Sequence, residues 1–549
     1  MSGTSAIANG NIGIEVNEAP NNTVGGTIPE ARNVFSGNGG AGVFLTGAAA
    51  TGNVVRGNYI GTNAAGTSAV ANQKMGLSVG ASPGAIGANS NIIGGSSGTT
   101  PGGACTGSCN LISGNVQNGI FISGTESYGH QIIGNYIGLN AAGTSNIGNH
   151  LDGIGVLSTP NNQIGGNSAN HRNIVSGNGS NGIIIVGGAS TGNRVEGNYL
   201  GLSSTGGLLG NAGSGIAISS ATDVAILANS TASNGLLGID LDNNGSANQN
   251  DPQDGDTGAN RLQNTPVIYA AQTKGGTTRI GGQFNGTPNS SFRIDFFYSD
   301  GCNAGYPNNY GEGQTFISSS DINTDVFGNT AFGISTPSAI GGNKYITSTA
   351  TKKIGGVPAE TSEFSQCVLV NTSKPALTNG ATWFLKYDLT TGPADKTFGY
   401  GFPSTLLMCA WDPNQPGVKL PTIYYNGSWF MRASYTTGTA DLNFSYGNGS
   451  HQAICGDWDG DGVDTPGVVT ADNQWLLRNS NSSGGADAGS PSYGFVPGFP
   501  IVGDWDGNGT DSIGSVSPGG TWAMRTSNDS GAPQGTFQYG FPGTVPLVW

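Results

Sequence analysis

At 549 residues the chain has room for three or so domains, yet only 9% of it is charged, 36% is hydrophobic and 97 residues are glycine. Ordinary domains carry roughly 25% charged residues; such a shortage would point to disorder if the sequence were aperiodic, but it is periodic throughout. A formal charge of −14 argues against a nucleic-acid or anionic-membrane partner, which needs a Lys/Arg surface, and leaves calcium and neutral glycans as compatible partners.

No run of about 18 apolar residues occurs, so no membrane span is expected. Six cysteines fall into three sequence-local pairs, Cys105 with Cys109, Cys302 with Cys367, and Cys409 with Cys455. They show neither CxxC spacing nor clustered His, so disulfides formed in an oxidising compartment are expected, which implies export to the cell surface or medium. The opening MSGTSAIANGNIGIEV has neither the basic start nor the apolar core of a signal peptide, so Met1 is read as the start of a fragment whose leader is missing.

Residues 1–264 repeat a set of short phrases in fixed order. NTVGG, NIIGG and NQIGG begin at Asn22, Asn91 and Asn162; RNVFSGN, CNLISGN and RNIVSGN begin at Arg32, Cys109 and Arg172. AGVFLTG, NGIFISG and NGIIIVG follow from Ala41, Asn118 and Asn181, and then GNYIG or GNYLG. Each phrase is a short apolar alternation closed by Gly or Asn, which reads as a strand and a tight turn tolerating positive φ. Strands this short cannot bury their own face, so copies must stack on one another. The segment resembles the right-handed parallel β-helix repeats of bacterial secreted and surface proteins, with several coils per long repeat. The insertion GSSGTTPGGACTGSC interrupts the second repeat, where a Cys105–Cys109 bridge would staple the base of a loop.

An acidic passage closes this segment, with Asp240, Asp242, Asp251, Asp254 and Asp256 within seventeen residues. Several carboxylates with Asn and backbone carbonyls make a calcium donor set. Similar passages end related β-helix repeats, which implies a calcium-tied terminal cap; the alternative is a solvated loop shielding the last coil's edge.

From 265 to 372 the alternation lengthens, in RIGGQF, SFRIDFFYS, TFISSSDI, TAFGIS, KYITSTATK and FSQCVLV, which predicts an antiparallel sandwich tied by Cys302–Cys367. It resembles the Ig-like modules that follow such helices in bacterial surface proteins, where a spacer role is the expectation.

All eight Trp lie beyond residue 380, and Trp383, Trp429, Trp475 and Trp522 are 46, 46 and 47 apart. Tyr400, Tyr446, Tyr493 and Tyr539 keep the same time, and Trp411, Trp458 and Trp505 are each 47 apart. A period in the forties predicts propeller-like β repeats over 373–549. The repeats resemble the DWDGDG, integrin-like (FG-GAP-type) repeats of secreted bacterial proteins. GDWDGDGVDTPG sets Asp457, Asp459, Asp461 and Asp464 around Gly460 and Gly462, and GDWDGNGTDSIG sets Asp504, Asp506, Asn508 and Asp511 likewise. Alternate carboxylates on a Gly-bent loop can collect one Ca2+. The first unit, AWDPNQPGV, keeps Asp412 and Asn414 but has Ala410 where the first ligand belongs, so its ion is expected to be lost. The last acidic residue stands one place earlier than in the integrin-like pattern. If each blade opens at its Trp strand, the last one stops short at VPLVW, and either a segment near QCVLV closes the ring or neighbouring chains join into filaments.

Three functions compete: a calcium-stabilised structural or adhesive surface protein contributing to a matrix or filament, a polysaccharide lyase or hydrolase using the helix face, and a glycan-binding module carried by the C-terminal aromatics. Chemistry on a glycan needs paired carboxylates, or a base with a cation. Glu126, His130, His150, Asp152 and His171 stand in no recognisable motif, and Arg32 and Arg172 share one repeat position, as structural turn residues would. A non-enzymatic role is therefore expected. Trp at a strict blade period is read as packing between blades ahead of sugar stacking.

Overall fold

The phrases of the first segment form strands of two to four residues whose apolar positions superpose from coil to coil. The computed structural model describes residues 7–80, 87–97, 102–124, 126–274, 276–302, 310–370, 376–385, 393–394, 396–415, 417–506 and 508–540. Every regular element among them is a strand or a short 3-10 turn. They divide into two compact units, one comprising Met1–Val267, Phe284–Thr330 and Tyr345–Cys367, the other Ile268–Gln283, Ala331–Lys344 and Val368–Trp549.

In the first unit three parallel sheets of eight, seven and seven strands run side by side, each coil giving one strand to each sheet. This is a parallel β-helix. In the eight-stranded sheet Ile14, Val43, Leu77, Ile120, Ile154, Ile183, Ile216 and Ile239 stand in register. Val55, Ile93, Ile132, Ile164 and Val195 stack in the second sheet, and Ile60, Ile112, Ile137, Val175 and Leu200 in the third. Nearly all of these are fully buried, and each contributes about 1.5–3 kcal/mol of transfer free energy. Each long sequence repeat makes two coils: AGVFLTG gives Val43–Thr46 and the following GLSVG gives Leu77–Gly80.

The asparagines of the phrases do more than end strands: they form three buried ladders, one at each corner. Asn135 shows the pattern. Its N–H donates to Asn173 Oδ1 at 3.0 Å, and its Nδ2 donates to Ile93 O and to Asn173 Oδ1 at 2.9 and 3.0 Å. Asn33, Asn58, Asn110, Asn135, Asn173, Asn198 and Asn229 make this ladder, and Asn38, Asn72, Asn115, Asn149, Asn178, Asn211 and Asn234 the next. The third runs Asn22, Asn53, Asn91, His130, Asn162, Asn193. Side-chain amides thus satisfy backbone N–H groups where the chain leaves the sheets, at sites water does not reach. The GNYIG glycine is needed for a second reason: Gly61 has φ +91°, and a Cβ there would lie 2.3 Å from Ser113 O in the next coil.

Arg32 and Arg172 are indeed structural, their guanidinium groups lying 4.0 and 3.9 Å over the Tyr59 and Tyr199 rings. At the equivalent place in the middle repeat stands Cys109, and the buried Cys105–Cys109 bridge packs with Tyr136 there. All three expected disulfides are present, with Cα–Cα distances of 5.3, 6.0 and 6.1 Å.

The last coil is closed by the same unit's antiparallel sheet of Thr315–Asn323, Ser291–Ser299, Tyr345–Ile354 and Val357–Thr361, in that spatial order. Ile226 N–H donates to Thr361 Oγ1, Ala228 N–H to Asp295 Oδ2, and Thr231 N–H to Gly313 O. Phe297 and Phe364 extend the aliphatic core. Glu312 ends the Asn234 ladder, accepting from Asn234 Nδ2 at 2.8 Å, and burial pushes its carboxyl up to about 7.

In the second unit, Val267–Lys274, Thr277–Asn285 and Asn329–Ser335 form a three-stranded sheet, followed by four small antiparallel sheets. The Trp period has a structural cause. Trp383, Trp429, Trp475 and Trp522 each donate their indole N–H to the carbonyl of Tyr400, Tyr446, Tyr493 and Tyr539, at 2.7–2.9 Å. All four Trp are buried, as are Trp411 and Trp458, so these six are packing residues and offer no face to a sugar. The boundary of these sheets differs from the expectation that each opens at its Trp strand. Trp429 lies in the third strand of the sheet Thr405–Cys409, Leu420–Tyr425, Ser428–Met431, Leu442–Ser445, and Trp522 likewise in Phe499–Gly503, Ser512–Val516, Thr521–Met524, Gly535–Gln538. One further strand of the same sheet follows each of these Trp strands, and the indole reaches the carbonyl of the Tyr just past that strand. Among the described residues the QCVLV segment does not join the last of these sheets, the one expected to lack a strand, which has four strands of its own; Cys367 is held by Cys302 and Val370 N–H by Lys344 O. VPLVW lies outside the described residues.

His130 supplies a test of the ladder. Its Nδ1 accepts from Asn91 N–H at 3.2 Å and its Nε2 meets Ser127 Oγ, whose proton goes to Ala88 O, so the ring is neutral. Burial lowers its pKa from 6.5 to about 4. The unfolded chain therefore binds the proton first, and stability falls as pH drops from 6.5 towards 4, by about 3 kcal/mol from this group. Replacing the ring with the ladder's usual residue, His130→Asn, is expected to flatten that part of the urea-denaturation pH profile relative to wild type.

Candidate metal centres

The two DWDG loops sit on the turns that follow the strands Gln452–Gly456 and Phe499–Gly503. Asp457, buried, accepts Gly460 N–H on Oδ1 at 2.8 Å and Gly462 N–H on Oδ2 at 3.0 Å, which bends the loop. Asp459 accepts from Asp461 N–H and Asp461 from Val463 N–H. The result brings one carboxylate oxygen from each of Asp457, Asp459 and Asp461 within 4.8 Å of one another. The second loop repeats the bend, Asp504 accepting from Asn508 and Gly509 N–H, Asp506 from Asn508, and Asn508 Oδ1 from Thr510 N–H. Hard oxygen donors at this density suit calcium.

Asp464 and Asp511 are not brought into these loops. Asp464 Oδ2 accepts Ala410 N–H at 2.7 Å, and Asp464 N–H donates to Ala410 O at 2.8 Å. Asp511 makes the same pair of bonds with the backbone of Asp457, at 3.0 and 2.7 Å. Each fourth aspartate therefore clamps the first loop position of the preceding repeat, which is why it stands one place early. Lys419 Nζ, 2.5 Å from Asp464 Oδ2, gives that carboxylate a cation of its own. Cys409 and Cys455 also lie near Asp464, but both sulfurs are in a disulfide and offer no thiolate.

The acidic passage splits in the same way. Asp240 is the last rung of a fourth, mixed ladder of Asn118, Asp152, Asn181 and Ser214. It also accepts Asn244 and Gly245 N–H, and burial raises its pKa. Asp242 accepts Ala259 N–H. Asp251, Asp254 and Asp256 converge within 4.8 Å. Asp251 holds Gly255 N–H, Asp254 holds Asn264 N–H and the Thr287 hydroxyl, and the buried Asp256 Oδ1 has no hydrogen-bond partner. Burial, then repulsion from Asp251 and Asp254, pushes Asp256 up to about 6. A divalent cation would relieve that repulsion, and protons compete with it below that pH.

The residues weighed for catalysis have other positions. His130 and Asp152 belong to ladders, His150 is exposed, Glu126 is exposed, and His171 ends the short 3-10 turn Ala169–His171. The clamp and the asparagine ladders escaped sequence reading because their partners lie one coil or one repeat away.

Two substitutions separate clamp from ligand. Asp511→Ala is expected to lower the thermal midpoint of the second unit equally with and without calcium, since a half-buried charge-assisted bond is lost. Asp459→Asn, whose side chain is exposed, is expected to reduce only the calcium-dependent increment, the Asp504 loop keeping its share; scanning calorimetry with and without chelator reads both.

No family model matches the chain, and no curated protein sequence does. Among solved structures it is similar to the full-length tailspike protein 2 of the Escherichia coli O157:H7 bacteriophage CAB120, at 10% identity and a TM-score of 0.14, over 59% of this chain. The chain spans 64% of that tailspike's length, and so loose a superposition carries no argument. The assignment as an all-β protein with a parallel β-helix followed by small antiparallel sheets stands on its strand register and sheet order.

Proposed function

We propose that the chain is an extracellular, calcium-stabilised protein of the cell surface or secreted matrix, with a structural or adhesive role that includes filament formation, and that it is not an enzyme. The observation that carries this reading is where the polar side chains of the first unit go. Asn, Asp152, His130, Arg32 and Arg172 are spent on ladders and ring stacking that hold one coil to the next. Groups committed in this way are not poised to move protons or to accept a sugar. The three disulfides support export, since such bonds persist in oxidising compartments. No helix among the described residues is long and apolar enough to cross a membrane.

Calcium enters as a stabiliser at Asp457, Asp459 and Asp461, at Asp504, Asp506 and Asn508, and at Asp251, Asp254 and Asp256. An ion that binds only the folded state adds RT ln(1 + [L]/Kd) to stability. With two of these three sites in the repeats, chelation is expected to lower the calorimetric transition of the second unit more than that of the β-helix. An unchanged second transition removes the calcium assignment. Light scattering of the purified chain separates the roles: growth of mass with concentration in calcium supports a matrix or filament, and a constant mass near the 55.2 kDa of one chain restricts the protein to adhesion.

A further inference from the structure

Three loops at a spacing of 47 residues differ in charge and in the groups that meet it. In the first, Ala410 replaces the leading aspartate and Gln415 fills the loop. Gln415 Nε2 donates to Asp412 Oδ2 at 2.9 Å and to Ala433 O at 2.8 Å, while Asn414 donates to Asp412 Oδ1 from N–H and Nδ2. The position of Gln415 is taken by Gly462 in the second loop and Gly509 in the third.

In the second loop a basic side chain occupies the room this glycine leaves. Arg279, on the strand Thr277–Asn285, places Nη1 3.8 Å from Asp457 Oδ2 and donates from Nη2 to Gly460 O at 3.2 Å. A Cβ at Gly462 would lie 2.4 Å from Arg279 Nε, so the guanidinium rests on bare backbone. Arg279 is 13% exposed at its side chain and Asp457 3%, so the pair is shielded from solvent screening. Among the described residues no ion pair to Asp504 or Asp506 accompanies the third loop, whose Asp506 and Asn508 face solvent.

We propose that Arg279 is an internal cation competing with calcium for the Asp457 loop, so that the two like-spelt loops differ in affinity and the Asp504 loop binds first. The inference rests on the calcium reading of both loops. A guanidinium on Asp457 stabilises the metal-free loop and repels an incoming divalent ion, so calcium at Asp457, Asp459 and Asp461 must displace Arg279 or bind beside it at an electrostatic penalty. Occupation of that loop is thereby coupled to the seating of strand Thr277–Asn285. The third loop carries no such coupling.

Isothermal titration of the full chain with calcium chloride tests this. Besides the step of the Asp251, Asp254 and Asp256 cluster, which neither loop variant touches, wild type is expected to show a tighter step lost in Asp504→Asn and a weaker step lost in Asp459→Asn. Arg279→Gln should tighten the weaker step roughly tenfold, a typical coupling between two sites, and leave the tighter step in place. Arg279→Lys, which keeps the charge but not the planar fork that reaches Gly460 O, should tighten it less, and covers the case in which Arg279→Gln does not fold. An unchanged or weakened second step in both variants, with calcium still bound, overturns the competition and leaves the calcium reading standing. Absence of calcium binding in wild type and variants alike overturns both.

Discussion

A coil of three very short strands joined by tight corners leaves backbone N–H groups at the corners with no strand to bond them, and water does not reach that interior. The asparagine ladder is the answer to this constraint, and the rest of the first unit depends on it. An amide side chain carries an acceptor and two donors on a short stem, so one residue takes the N–H of the coil on one side, gives to a carbonyl, and gives again along the stack. Alanine would leave the donors unpaired; aspartate lacks the donors. The aliphatic columns provide most of the stabilising free energy, but a greasy interior is compatible with many registers, and the amide rows select one.

The same constraint explains where the helix stops. The last rungs must find partners that are not another coil, and the chain supplies them from its own next sheet: Thr361, Asp295, Glu312 and Glu363 receive N–H groups of Ile226, Ala228, Asn234 and Leu241. Burial pushes Glu363 up to about 8 and Glu312 up to about 7, so these carboxyls favour the folded state in mild acid, and that contribution declines as pH rises through those values. His130 acts in the opposite sense. The two ranges overlap, so between about pH 4.5 and 6.5 the ring and the carboxyls partly offset one another, and above that only the carboxyls' decline remains.

Much of this architecture was legible in the sequence, and the parts that were not share one cause. The GNYIG phrase gave a strand, a buried Ile and a glycine of positive φ, and all three are local properties. Its Asn58, Asn135 and Asn198 were read as turn formers because a ladder asparagine and a turn asparagine look alike until the next coil, 25–52 residues away, is superposed. The Trp and Tyr period announced a repeat but not that Trp429 lies on the third strand of its sheet. Asp457, Asp459 and Asp461 were found because their spacing acts within one turn, whereas Asp464 and Asp511 leave their own loop. Arg279 could not be found at all: 181 residues separate it from Gly460, and nothing in its neighbourhood sets it apart from another strand arginine.

The fourth-aspartate clamp gives the repeat array a direction. Asp464 fastens the turn at Ala410 and Asp511 the turn at Asp457, so in both cases a later repeat completes an earlier one. A repeat emerging from the ribosome thus lacks its clamp until its successor follows, and ordering travels one repeat behind the growing end. Assembly of this kind is vectorial, and its weakest moment belongs to whichever turn is waiting for its aspartate.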